Sequence, residues 1–597
     1  MSDQSENNLP NDVVFERTLR LFAGPLVYYA LGLDKIHKIY SAAIKNVGED
    51  FVSSILSEMN VEIEVPEESL ANIPKTGPTI VVSNHPFGGI EGLVMVEILA
   101  RIRNDVRLLA NYLLNTMPEA RKYFLGVDPF GGSKATRSNI SSMREMLKHL
   151  KAGGLLALFP SGTVSHLHLL KCEVMDPEWN DNLCTMVRKS GASVVPLYFH
   201  GRNSCFFQLM GLIHPRLRTA LLAREFGNKQ NKTISVDIGS SISNDKLMKF
   251  ETDAEMLSFI RLRTYILRHR AAPQQDKQID QPANYEIICS ALPAELLDKE
   301  IHALPAEQKL SENSETEVFY ASAEQIPNTL HEIGRLREVT FRAANEGTGK
   351  SIDLDKFDSY YTHLFAWNKE KKEIIGAYRI GKCDLILNQY GITGLYTHSL
   401  FRYSSSLIEQ ITPALELGRS FIQPEYQKNF FSLLLLWKGI GHYVVKNPAY
   451  KNLFGPVSIS SEYDTISRQL IVSFLRSNNF LPQLAKLIKP RKPHRNIRIR
   501  GVDKRSFATV VKDINDVSQL ITEIEAKESS VPVLLKQYLK LGGKLLGFNI
   551  DPEFGNVLDG LILVDLTETN TKMLAKYLGE EGVQKFLEYQ NKISPTT

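Results

Sequence analysis

The sequence predicts an α/β protein with two domains, each a central β-sheet flanked by helices. Three observations support this prediction. Between residues 78 and 201, short β-rich runs alternate with longer stretches of helical periodicity, as in sheets covered by helices. After a stretch of linker composition at 271–284, a second alternation of the same kind begins. The chain of 597 residues is too long for one ordinary core, so several domains are expected.

Predicted strands and helices follow one another regularly in both halves of the chain. In the first half, strands are predicted at 78–84, 106–111, 155–162 and 193–201, and helices at 90–102 and 138–154. In the second half, helices are predicted at 331–345 and 430–445, and strands at 372–381, 415–423, 452–460 and within 544–566. Ligands of open α/β sheets bind at strand ends, so a site is expected there.

Composition and charge exclude several classes of function. Hydrophobic residues make up 43% and charged residues 23% of the chain, as in soluble globular proteins. The net charge of +3 is too small to indicate a nucleic-acid partner. The five cysteines show no C-x-x-C spacing, so neither a metal site nor a disulfide framework is expected. Neither a leader pattern nor a run of eighteen apolar residues is found, which predicts a cytoplasmic protein.

Two stretches are candidates for contact with a membrane surface. RLFAGPLVYYALGL at 20–33 is too short to span a bilayer and fits either an interfacial segment or a core-packing helix. Residues 206–232 interleave apolar residues with arginines and lysines, which fits either docking on anionic lipid or a solvated basic helix face.

Three blocks of polar and small residues follow predicted strands of the first half. Asn84 and His85 end the strand at 78–84, and Glu91 follows after two glycines. FPSGTVS lies at 159–165, and a hydrophobic strand with a proline, VVPLYFHGR, lies at 194–202. A histidine at a strand end with a nearby carboxylate is a common general base, and a satisfied structural histidine is the alternative.

In this order and spacing, the blocks resemble the glycerolipid acyltransferase (PlsC-like) family over roughly residues 75–245. The resemblance implies transfer of a fatty acyl group from a thioester to a hydroxyl group. It implies that His85 is the general base and that Glu91 holds its imidazole in the right tautomer. It also implies substrate contacts around the base and in the FPSGT turn, with the N–H groups of two glycines facing the acyl carbonyl oxygen. The residues concerned are Asn84, Gly88, Gly89, Phe159, Pro160, Ser161, Gly162 and Thr163.

Two departures from the common family pattern bear on the acceptor. The acid is Glu91, six residues after the histidine, where the family has an aspartate five residues after it. Ser161 and Val164 replace the acid and base of the usual FPEGTRS, charged groups that help to hold a glycerol phosphate in the family. Their loss weakens the case for that acceptor, and a turn-forming hydroxyl is an alternative role for Ser161.

A second set of motifs lies in the second half of the chain. LREVTFRAANEGTGKSIDLDKFDSYYTHLF (336–365), IIGAYRIG (374–381) and ALELGRSFIQPEYQ (414–427) resemble the GNAT-fold N-acyltransferases. That group includes ornithine-lipid synthases and, more distantly, acyl-homoserine-lactone synthases. The resemblance covers roughly residues 318–480, and the tail motif GFNIDPEF occurs in the same group of proteins. It implies transfer of an acyl group to an amine.

The resemblance assigns roles to five charged residues. An amine acceptor arrives protonated, so a carboxylate must take its proton before it attacks a thioester. Glu416 lies on the strand that borders both substrates in this fold and is the expected base. Asp355 and Asp358 are expected to hold a cationic amino acid. Arg379 and Arg419 then pair either with those acids or with the acceptor's carboxylate. The alternatives are a solvated acidic loop for DLDKFD and a structural ion pair for ELGR.

The expected acyl donor is acyl carrier protein, with coenzyme A as the alternative, and no tightly bound cofactor is expected. The pyrophosphate loop of the GNAT fold is Arg/Gln-x-x-Gly-x-Gly/Ala, whereas residues 427–432 read QKNFFS, with Phe430 in place of the key glycine. That glycine lets backbone N–H groups approach the coenzyme A phosphates, so its absence argues against tight coenzyme A binding. Lys428 and Lys438 suit the acidic surface of a carrier protein.

The two resemblances divide the chain into five predicted segments. These are an N-terminal helical, membrane-proximal segment (1–74), a PlsC-like O-acyltransferase domain (75–270), a linker and connecting segment (271–317), a GNAT-like N-acyltransferase domain (318–500) and a C-terminal extension of the GNAT-like domain (501–597).

The chain as a whole resembles a bifunctional bacterial aminolipid synthase, with ornithine lipid as the expected product. The second domain would place a 3-hydroxyacyl group on an amino acid, and the first would acylate the free 3-hydroxyl, with the fusion keeping the intermediate local. The alternatives are a lysophospholipid acyltransferase with a regulatory GNAT-like domain, and a non-catalytic, hemolysin-like membrane-associating protein. The expected partners are acyl carrier protein, the amino acid and the lipid surface of the inner membrane, at its cytoplasmic face.

Overall fold

The computed structural model describes residues 31–45, 50–111, 118–127, 133–270, 285–428, 430–525 and 530–593. The apolar run at 20–33 falls almost entirely outside the described residues, and the linker stretch at 271–284 falls wholly outside them. The chain divides into two compact units. The first comprises residues 1–272, 498–511 and 522–526, and the second comprises residues 273–497, 512–521 and 527–597.

The strands of the described residues are β1 Glu62–Glu64, β2 Thr79–Ser83, β3 Val106–Asn111, β4 Phe124–Val127, β5 Leu155–Leu158, β6 His166–His168, β7 Glu173–Met175, β8 Ser193–Phe199, β9 Thr233–Ile238, β10 Lys309–Glu312, β11 Thr316–Ser322, β12 Thr362–Asn368, β13 Glu373–Lys382, β14 Phe401–Tyr403, β15 Ala414–Ile422, β16 Asn452–Ile459, β17 Ile488–Pro490, β18 Lys544–Asp551 and β19 Val557–Asp565.

The α-helices of the described residues are α1 Leu33–Ala43, α2 Phe51–Glu58, α3 Ile90–Ala100, α4 Ser133–Lys151, α5 Asn182–Ser190, α6 Cys205–Ile213, α7 Pro215–Ala220, α8 Leu222–Gly227, α9 Asn244–Leu247, α10 Asp253–Ile266, α11 Ala294–His302, α12 Pro327–Ala343, α13 Cys383–Tyr390, α14 Ser405–Ile411, α15 Pro424–Gln427, α16 Phe430–Lys446, α17 Thr465–Asn478, α18 Pro482–Ala485, α19 Lys504–Val510, α20 Ile514–Ile524, α21 Val533–Lys540, α22 Thr571–Leu578 and α23 Glu580–Ile593.

The first unit is built on a seven-stranded sheet of order β1-β9-β8-β2-β5-β3-β4. All neighbours in it run parallel except β8 and β9. The central strand β2 is buried at every position, because a parallel sheet is covered on both faces and its middle strands need apolar side chains on each. Helix α3 likewise buries side chains all around its axis, as expected for an apolar helix inside a core.

Two later segments of the chain complete the first unit. Residues 498–511 and 522–526 group with it, and helix α19 packs against α10. The buried carboxylate of Glu523 accepts from Arg263 at 2.6 Å and from Arg270 at 2.8 Å. Because Glu523 lies only 4% exposed, both partners are needed to offset the cost of removing its charge from water.

The second unit is built on an eight-stranded sheet of order β10-β11-β12-β13-β15-β16-β19-β18. Its neighbours are antiparallel except β15 and β16, which run parallel and pair only from Ala414 with Asn452 to Glu416 with Phe454. A Cβ atom on Gly455 would lie 2.0 Å from the carbonyl oxygen of Leu417, so the strands still touch there. Beyond that point β15 pairs with β13, and β16 pairs with β19. The two strands therefore diverge in the middle of the sheet.

Strand β15 also carries a β-bulge next to this opening. Ala377 faces Phe421 and Arg379 faces Gly418, so one residue of β13 stands opposite two residues of β15. Arg419, one of those two, has a φ of 45°, a left-handed conformation that is rare for a residue with a side chain. Bulges of this kind redirect side chains near functional sites.

The α/β class and the two-sheet organisation are confirmed, and each strand and helix predicted above lies on an element of the same type. The strand-like stretch at 544–566 forms two antiparallel strands, β18 and β19, joined by a short 3-10 turn at Pro552–Phe554. In the part of the chain that the structure describes, no helix has the length and apolarity needed to cross a membrane.

Candidate active sites

The first candidate site lies where three adjacent parallel strands of the first unit end. β2 pairs with β5 on one side and with β8 on the other, so their carboxyl ends share one edge of the sheet. The segments that follow them meet there. The Phe159 ring stacks on the His85 imidazole with centroids 4.3 Å apart, and the Ser165 N–H donates to the His85 carbonyl oxygen at 2.8 Å.

His85 and Glu91 form a close pair at this edge. Nδ1 of His85 lies 2.8 Å from Oε1 of Glu91. The two atoms are close enough for an ion pair, but the angle at Nδ1 is not that of a regular hydrogen bond. The Glu91 carboxylate is fully buried and accepts from the backbone N–H groups of Phe87 (2.8 Å), Gly88 (2.6 Å) and Gly89 (2.8 Å). The carboxylate is therefore held rigidly beneath the turn, on the Nδ1 side of the ring.

Electrostatics keep this carboxylate ionised. Burial alone would raise the pKa of Glu91, but the adjacent His85 and the backbone N–H donors outweigh it and lower the pKa to about 2. An ionised carboxylate beside Nδ1 favours a proton on that nitrogen and stabilises the imidazolium. Nε2 of His85, on the opposite side of the ring, is then the nitrogen that can accept a proton.

A second carboxylate, Asp176, fixes the histidine from its backbone. Its Oδ1 accepts from the His85 N–H at 3.1 Å and from the Ser165 hydroxyl, and its Oδ2 accepts from Trp179 Nε1 at 3.0 Å. Asp176 lies only 1% exposed, so these donors supply the hydrogen bonds that water cannot. Neither Asp176 nor Ser165 was predicted as a site residue: no motif marks Asp176, and Ser165, the last residue of the block that matches FPEGTRS, carries no predicted role.

The other predicted residues of this site are largely engaged with the protein itself. The Asn84 carboxamide donates to the Phe199 carbonyl (2.9 Å) and accepts from the Phe199 N–H (2.8 Å), which joins β2 to β8. The N–H groups of Gly88 and Gly89 donate to Glu91, so in this geometry they do not form the expected oxyanion site. Gly88 has a φ of 93°, and a Cβ atom there would lie 2.4 Å from the Leu222 side chain, which explains the glycine.

The FPSGT turn divides into a buried and an exposed part. Pro160 is buried, and its carbonyl oxygen accepts from the Asn180 N–H at 3.0 Å. The Ser161 hydroxyl donates to the Thr163 carbonyl oxygen at 2.8 Å, which is the turn-forming alternative for that residue. Gly162 and Thr163 are exposed next to it. Of this turn, Phe159 stacks on the histidine ring.

The same unit contains another histidine–carboxylate pair. Nε2 of His200 lies 2.7 Å from Oδ2 of Asp237, just beyond the end of β8. The His200 side chain is 35% exposed, twice the 17% exposure of His85. The pair offers a matched comparison for the chemistry assigned to His85.

In the second unit, Glu416 lies deep inside the protein. Its side chain is 1% exposed, and its oxygens accept from the N–H groups of Tyr396 (3.0 Å) and Thr397 (2.7 Å) and from the hydroxyls of Tyr361 and Thr397. Four donors thus surround the carboxylate. A carboxylate enclosed in this way holds the 3-10 turn Tyr396–Ser399 against β15. This placement is at odds with the base role expected for Glu416.

The predicted acids and arginines of the second unit pair with one another. Asp358 Oδ1 lies 2.7 Å from Arg337 Nη1, and Asp358 Oδ2 lies 3.2 Å from Arg379 Nη1. Arg379 Nη1 also contacts Asp355 Oδ1 at 2.7 Å, and Arg419 Nη2 lies 3.8 Å from Asp355 Oδ2. Of the two pairings open to Arg379 and Arg419, the structure thus shows the one with the acids.

Burial and ion pairing together determine whether the carboxyl group of Asp358 is charged. Arg337 and Arg379 are 0% and 1% exposed, and Asp358 is 4% exposed. Burial opposes the charge on Asp358, but the two guanidinium groups outweigh it and hold the pKa of that carboxyl well below its usual range. Asp358 is therefore ionised, and Asp355 and Asp358 are both paired with Arg379. They are not a solvated loop, and they leave little free charge for a cationic substrate.

A cavity of about 140 Å³ opens where β15 and β16 diverge. This is roughly ten times the volume that one water molecule needs. Both strands contribute to its wall, together with the motif GFNIDPEF and helix α21. Its lining residues are Phe341, Glu346, Tyr378, Tyr396, Leu417, Gly418, Arg419, Ser420, Pro456, Ser458, Leu534, Tyr538, Asp551, Phe554 and Asp559.

Three carboxyl groups of the cavity wall have raised pKa values. Burial, together with the nearby Asp551, raises the pKa of Asp559 to about 8. Burial and the neighbouring Glu462 raise the pKa of Glu346 to about 7, and burial raises the pKa of Asp551 as well. The Ser458 hydroxyl donates to Asp559 Oδ1 at 2.9 Å. Acids with raised pKa values in a cavity are suited to proton transfer.

Comparison with known proteins identifies two domains. Residues 17–272 match a family model described as "Acyltransferase", and residues 336–438 match one described as "Acetyltransferase (GNAT) domain". A "Glycine N(alpha)-acyltransferase" of Bacteroides thetaiotaomicron is 33% identical over 275 residues, which are 44% of this chain and 80% of that protein. The chain belongs to the same acyltransferase family as this glycine N(alpha)-acyltransferase.

Two further similarities were found. A "Lyso-glycine lipid O-acyltransferase" of Phocaeicola vulgatus is 28% identical over 239 residues, which are 38% of this chain and 81% of that protein. The crystal structure of the 1-acyl-sn-glycerophosphate acyltransferase PlsC from Thermotoga maritima aligns with 45% of this chain and 99% of that one, at 18% identity and a TM-score of 0.25.

The chain is therefore an acyltransferase with an acyltransferase domain followed by a GNAT domain, as expected. This result leaves no support for the alternative of a non-catalytic, hemolysin-like protein. The predicted segment boundaries and the predicted roles of individual site residues stay predictions.

Sequence reasoning missed the carboxyl groups of the GNAT cavity. Asp551 and Phe554 lie inside the motif GFNIDPEF, for which the sequence predicts no role. Asp559 and Glu346 carry no local signal, because they reach the cavity only through the pairing of β16 with β19 and through the end of α12.

The stretch QKNFFS joins α15 to α16, and Asn429 within it lies outside the described residues. The lack of a glycine there is a property of the sequence alone. Within the described ranges, no group of three or more histidine, cysteine, aspartate or glutamate side chains is arranged to hold a metal ion.

Proposed function

We propose that the chain makes an amino-acid-containing membrane lipid by two acyl transfers. The GNAT domain joins a 3-hydroxyacyl group to the α-amine of an amino acid, and the other domain acylates the 3-hydroxyl of the product. One observation carries the proposal: the same chain is similar to a glycine N(alpha)-acyltransferase and to a lyso-glycine lipid O-acyltransferase, over 80% and 81% of their lengths.

In the first transfer, the amine nitrogen attacks the thioester carbonyl carbon, the carbon–sulfur bond breaks, and one proton passes from nitrogen to the departing sulfur. We assign the transfer of that proton to Asp559. Its carboxyl group borders the opening between β15 and β16, and the Ser458 hydroxyl orients it. A pKa of about 8 makes it a stronger base than an ordinary carboxylate.

In the second transfer, Nε2 of His85 takes the proton of the lipid's 3-hydroxyl as the oxygen attacks a second thioester. The ionised Glu91 stabilises the imidazolium through Nδ1, and the Phe159 ring keeps the imidazole in place. The imidazolium then returns the proton to the departing sulfur. No charged group of the FPSGT turn is available to hold a phosphate, which fits an acceptor without one.

Glycine is the proposed acceptor amino acid, because the relatives named above act on glycine and its lipid. The observation that had favoured ornithine was the pair Asp355 and Asp358, and both are engaged by arginines. Ornithine is the second candidate. Glu346, Asp551 and Asp559 place three carboxyl groups in one cavity, which would suit an acceptor with two ammonium groups.

Acyl carrier protein is the proposed donor of both acyl groups, since the QKNFFS stretch lacks the glycine that suits the coenzyme A phosphates. Neither donor needs a tightly bound cofactor. The chain would act at the cytoplasmic face of the inner membrane, where its lipid products belong.

The deciding experiment is mass spectrometry of lipids from a host without aminolipids that expresses the full chain and is fed labelled glycine or labelled ornithine. The wild type should give a diacylated lipid that contains one of the two labels. His85→Ala should stop at the monoacylated lipid, and Asp559→Asn should give neither product.

Two matched controls accompany these variants. His200→Ala removes the other histidine–carboxylate pair of the first unit, and Asp565→Asn changes an aspartate on the same strand as Asp559 but outside the cavity. Both should make the diacylated lipid. A chain that makes no aminolipid but alters phospholipid acyl composition in a His85-dependent way would instead be a lysophospholipid acyltransferase.

A further inference from the structure

The first unit exposes an unusual concentration of large apolar side chains on and beside α6. Sixteen large hydrophobic side chains are exposed among the described residues, and seven of them lie in two segments of the first unit, 169–170 and 206–217. They are Leu169, Leu170, Phe206, Leu209, Leu212, Ile213 and Leu217, which we call the apolar face. Single exposed apolar residues are ordinary, whereas a contiguous group of them marks an interaction surface.

The geometry of α6 separates a buried side from an exposed one. Phe206, Leu209 and Ile213 follow the spacing i, i+3, i+7 and share one side of the helix. Phe207 and Gln208 lie on the other side and are buried. The hairpin of β6 and β7 is tied to α6, because the Leu167 N–H donates to Gln208 Oε1 at 3.0 Å. Leu169 and Leu170 follow directly in that hairpin.

The helix is firmly anchored, so its exposed side is not the result of a loose end. The Ser204 hydroxyl accepts from the Phe207 N–H at 3.2 Å and caps α6. The Ser204 N–H donates to the buried carboxylate of Glu225 at 3.0 Å. Phe207 packs with Val164 and Leu221 in a small core.

The apolar face is joined to the first candidate site through that core. Val164 follows the FPSGT turn, and the next residue, Ser165, donates its N–H to the His85 carbonyl oxygen. A Cβ atom on Gly88 would lie 2.8 Å from the Val164 side chain. The buried side of α6 thus rests on the turn that positions the proposed base.

The two segments that carry the apolar face contain basic residues and no acidic ones. Residues 201–224 contain no aspartate or glutamate and include Arg202, Arg216, Arg218 and Arg224. The Arg224 guanidinium lies 5.2 Å from the centroid of the Phe206 ring. Residues 161–172 contain no acid either, and Lys171 is exposed beside the two leucines. Arginines that flank an aliphatic face match a surface with apolar tails below anionic headgroups.

We infer that the apolar face docks the first unit onto an anionic lipid bilayer, with its aliphatic side chains below the headgroups and its arginines among the phosphates. The absence of tyrosine and tryptophan from the face distinguishes it from a typical protein-binding hot spot. Docking would bring the turn that holds His85 close to the membrane, from which a lipid acceptor and its acyl chains could enter.

Vesicle flotation with the purified full-length chain tests this inference. Vesicles of phosphatidylethanolamine and phosphatidylglycerol should bind the wild type, and Leu209→Glu/Ile213→Glu should weaken binding by at least about tenfold. The matched control is Leu385→Glu/Ile593→Glu, which places the same charges at two exposed apolar positions of the second unit. Leu209 and Ile593 are equally exposed, at 57%, and Ile213 and Leu385 are both mostly exposed, at 69% and 55%. The control should bind like the wild type.

A second variant keeps the inference testable if the double glutamate variant misfolds. Ile213→Trp adds an indole at a position that is 69% exposed, whereas the described Trp179, Trp367 and Trp437 are all buried. Its emission should shift to the blue on vesicle addition and be quenched by lipids brominated in the acyl chains.

Three outcomes would overturn the inference. One is equal vesicle binding by the wild type and the Leu209→Glu/Ile213→Glu variant. Another is equal binding to phosphatidylcholine vesicles and anionic vesicles. The third is a change from dimer to monomer in that variant, by analytical ultracentrifugation, without a change in vesicle binding, which would make the face an interface between copies of the chain.

Discussion

Nδ1 of His85 lies 2.8 Å from Oε1 of Glu91, although the acid lies six positions after the histidine and not five as in the common family pattern. The extra residue and the longer side chain compensate for each other. The glutamate turns back beneath the loop, where the N–H groups of Phe87, Gly88 and Gly89 bind its carboxylate. The same turn that lengthens the spacing therefore fixes the acid, so the pair is a consequence of the local backbone.

Glu91→Gln should reduce O-acylation by about a hundredfold to ten-thousandfold, because a neutral amide cannot stabilise the imidazolium of His85. The amide oxygen can still accept from the N–H groups of Phe87 and Gly88, although not also from Gly89, so the fold should be weakened but retained. The monoacylated lipid should accumulate in lipid extracts. Glu91→Asp serves as the companion variant: its shorter side chain should also fail, and full activity in it would show that the carboxylate need not reach Nδ1 at 2.8 Å.

The first unit should become less stable at acid pH, because Glu91 becomes protonated there. Its folded pKa of about 2 lies below its ordinary value of 4.5, so the ionised form stabilises the folded state above pH 4.5 and this contribution disappears as the pH falls towards 2. The shift corresponds to about 3 kcal/mol at neutral pH. In urea titrations, wild type and Glu91→Gln should differ at pH 6 and converge towards pH 3. A difference in unfolding free energy between the two proteins that stays the same at pH 6 and pH 3 would contradict this.

The sequence carried enough information for the sheets but only for part of the sites. The β-rich run that forms the buried strand β2 and the His85–Glu91 motif are local patterns, and both were found where they were expected. The function of Asn84 depends on its neighbour strand β8, which a single sequence does not reveal. Asp176 reaches the backbone of His85 from a segment 91 residues later in the chain. Only the fold shows such long-range contacts.

The second unit shows the same limit more sharply. Glu416 and Asp358 are predicted site residues because they are charged and lie in motifs. The structure surrounds Glu416 with hydrogen-bond donors and pairs Asp358 with two arginines. Charge in a motif did not distinguish a substrate contact from an internal hydrogen-bond partner. Asp559 had no motif, and it reaches the cavity because β19 pairs with β16 beyond the point where β15 and β16 part.

The N-acyl transfer should gain rate as the pH rises and level off above about pH 8, because only the ionised form of Asp559 can accept a proton. Asp559→Asn should lose most of the activity and this pH dependence. The measurement is the initial rate of amide formation between pH 6 and pH 9 with saturating acyl-acyl carrier protein. Asp565→Asn should keep the wild-type profile. A rising limb that survives in Asp559→Asn would assign the base to another group.

Asp559 should also make the fold less stable at high pH. Its folded pKa of about 8 lies above its ordinary value of 3.8, so the folded state binds more protons than the unfolded state between these values. Stability from this group therefore falls as the pH rises from 4 to 8. Asp559→Asn should unfold at a higher urea concentration than the wild type at pH 8, with the difference vanishing near pH 4. Equal urea midpoints of the wild type and Asp559→Asn at both pH values would show that folding does not raise the pKa of Asp559.

Asp358→Asn should destabilise the second unit by about 3 to 5 kcal/mol, because it leaves the buried Arg337 and Arg379 without their shared counter-charge. The choice of amino acid should not change, since the arginines already occupy this carboxylate. Urea unfolding measures the first effect, and labelled-amino-acid feeding measures the second. Asp298→Asn, at a partly exposed ion pair of the same unit, is the control and should change stability little. A switch of acceptor in Asp358→Asn would return this residue to the substrate site.

Glu416→Gln should loosen the second unit more than it changes the chemistry. An amide in this position meets at least one of the four donors with its own N–H groups, and a buried donor left without an acceptor costs about 1 to 3 kcal/mol. Hydrogen–deuterium exchange should therefore accelerate in the turn Tyr396–Ser399, while the variant still makes N-acyl product at low temperature, where the fold persists. Asp559→Asn should show the reverse, with protected amides and little product. Loss of product in Glu416→Gln with unchanged exchange would restore Glu416 as the base, because the defect would then lie in proton transfer and not in the fold.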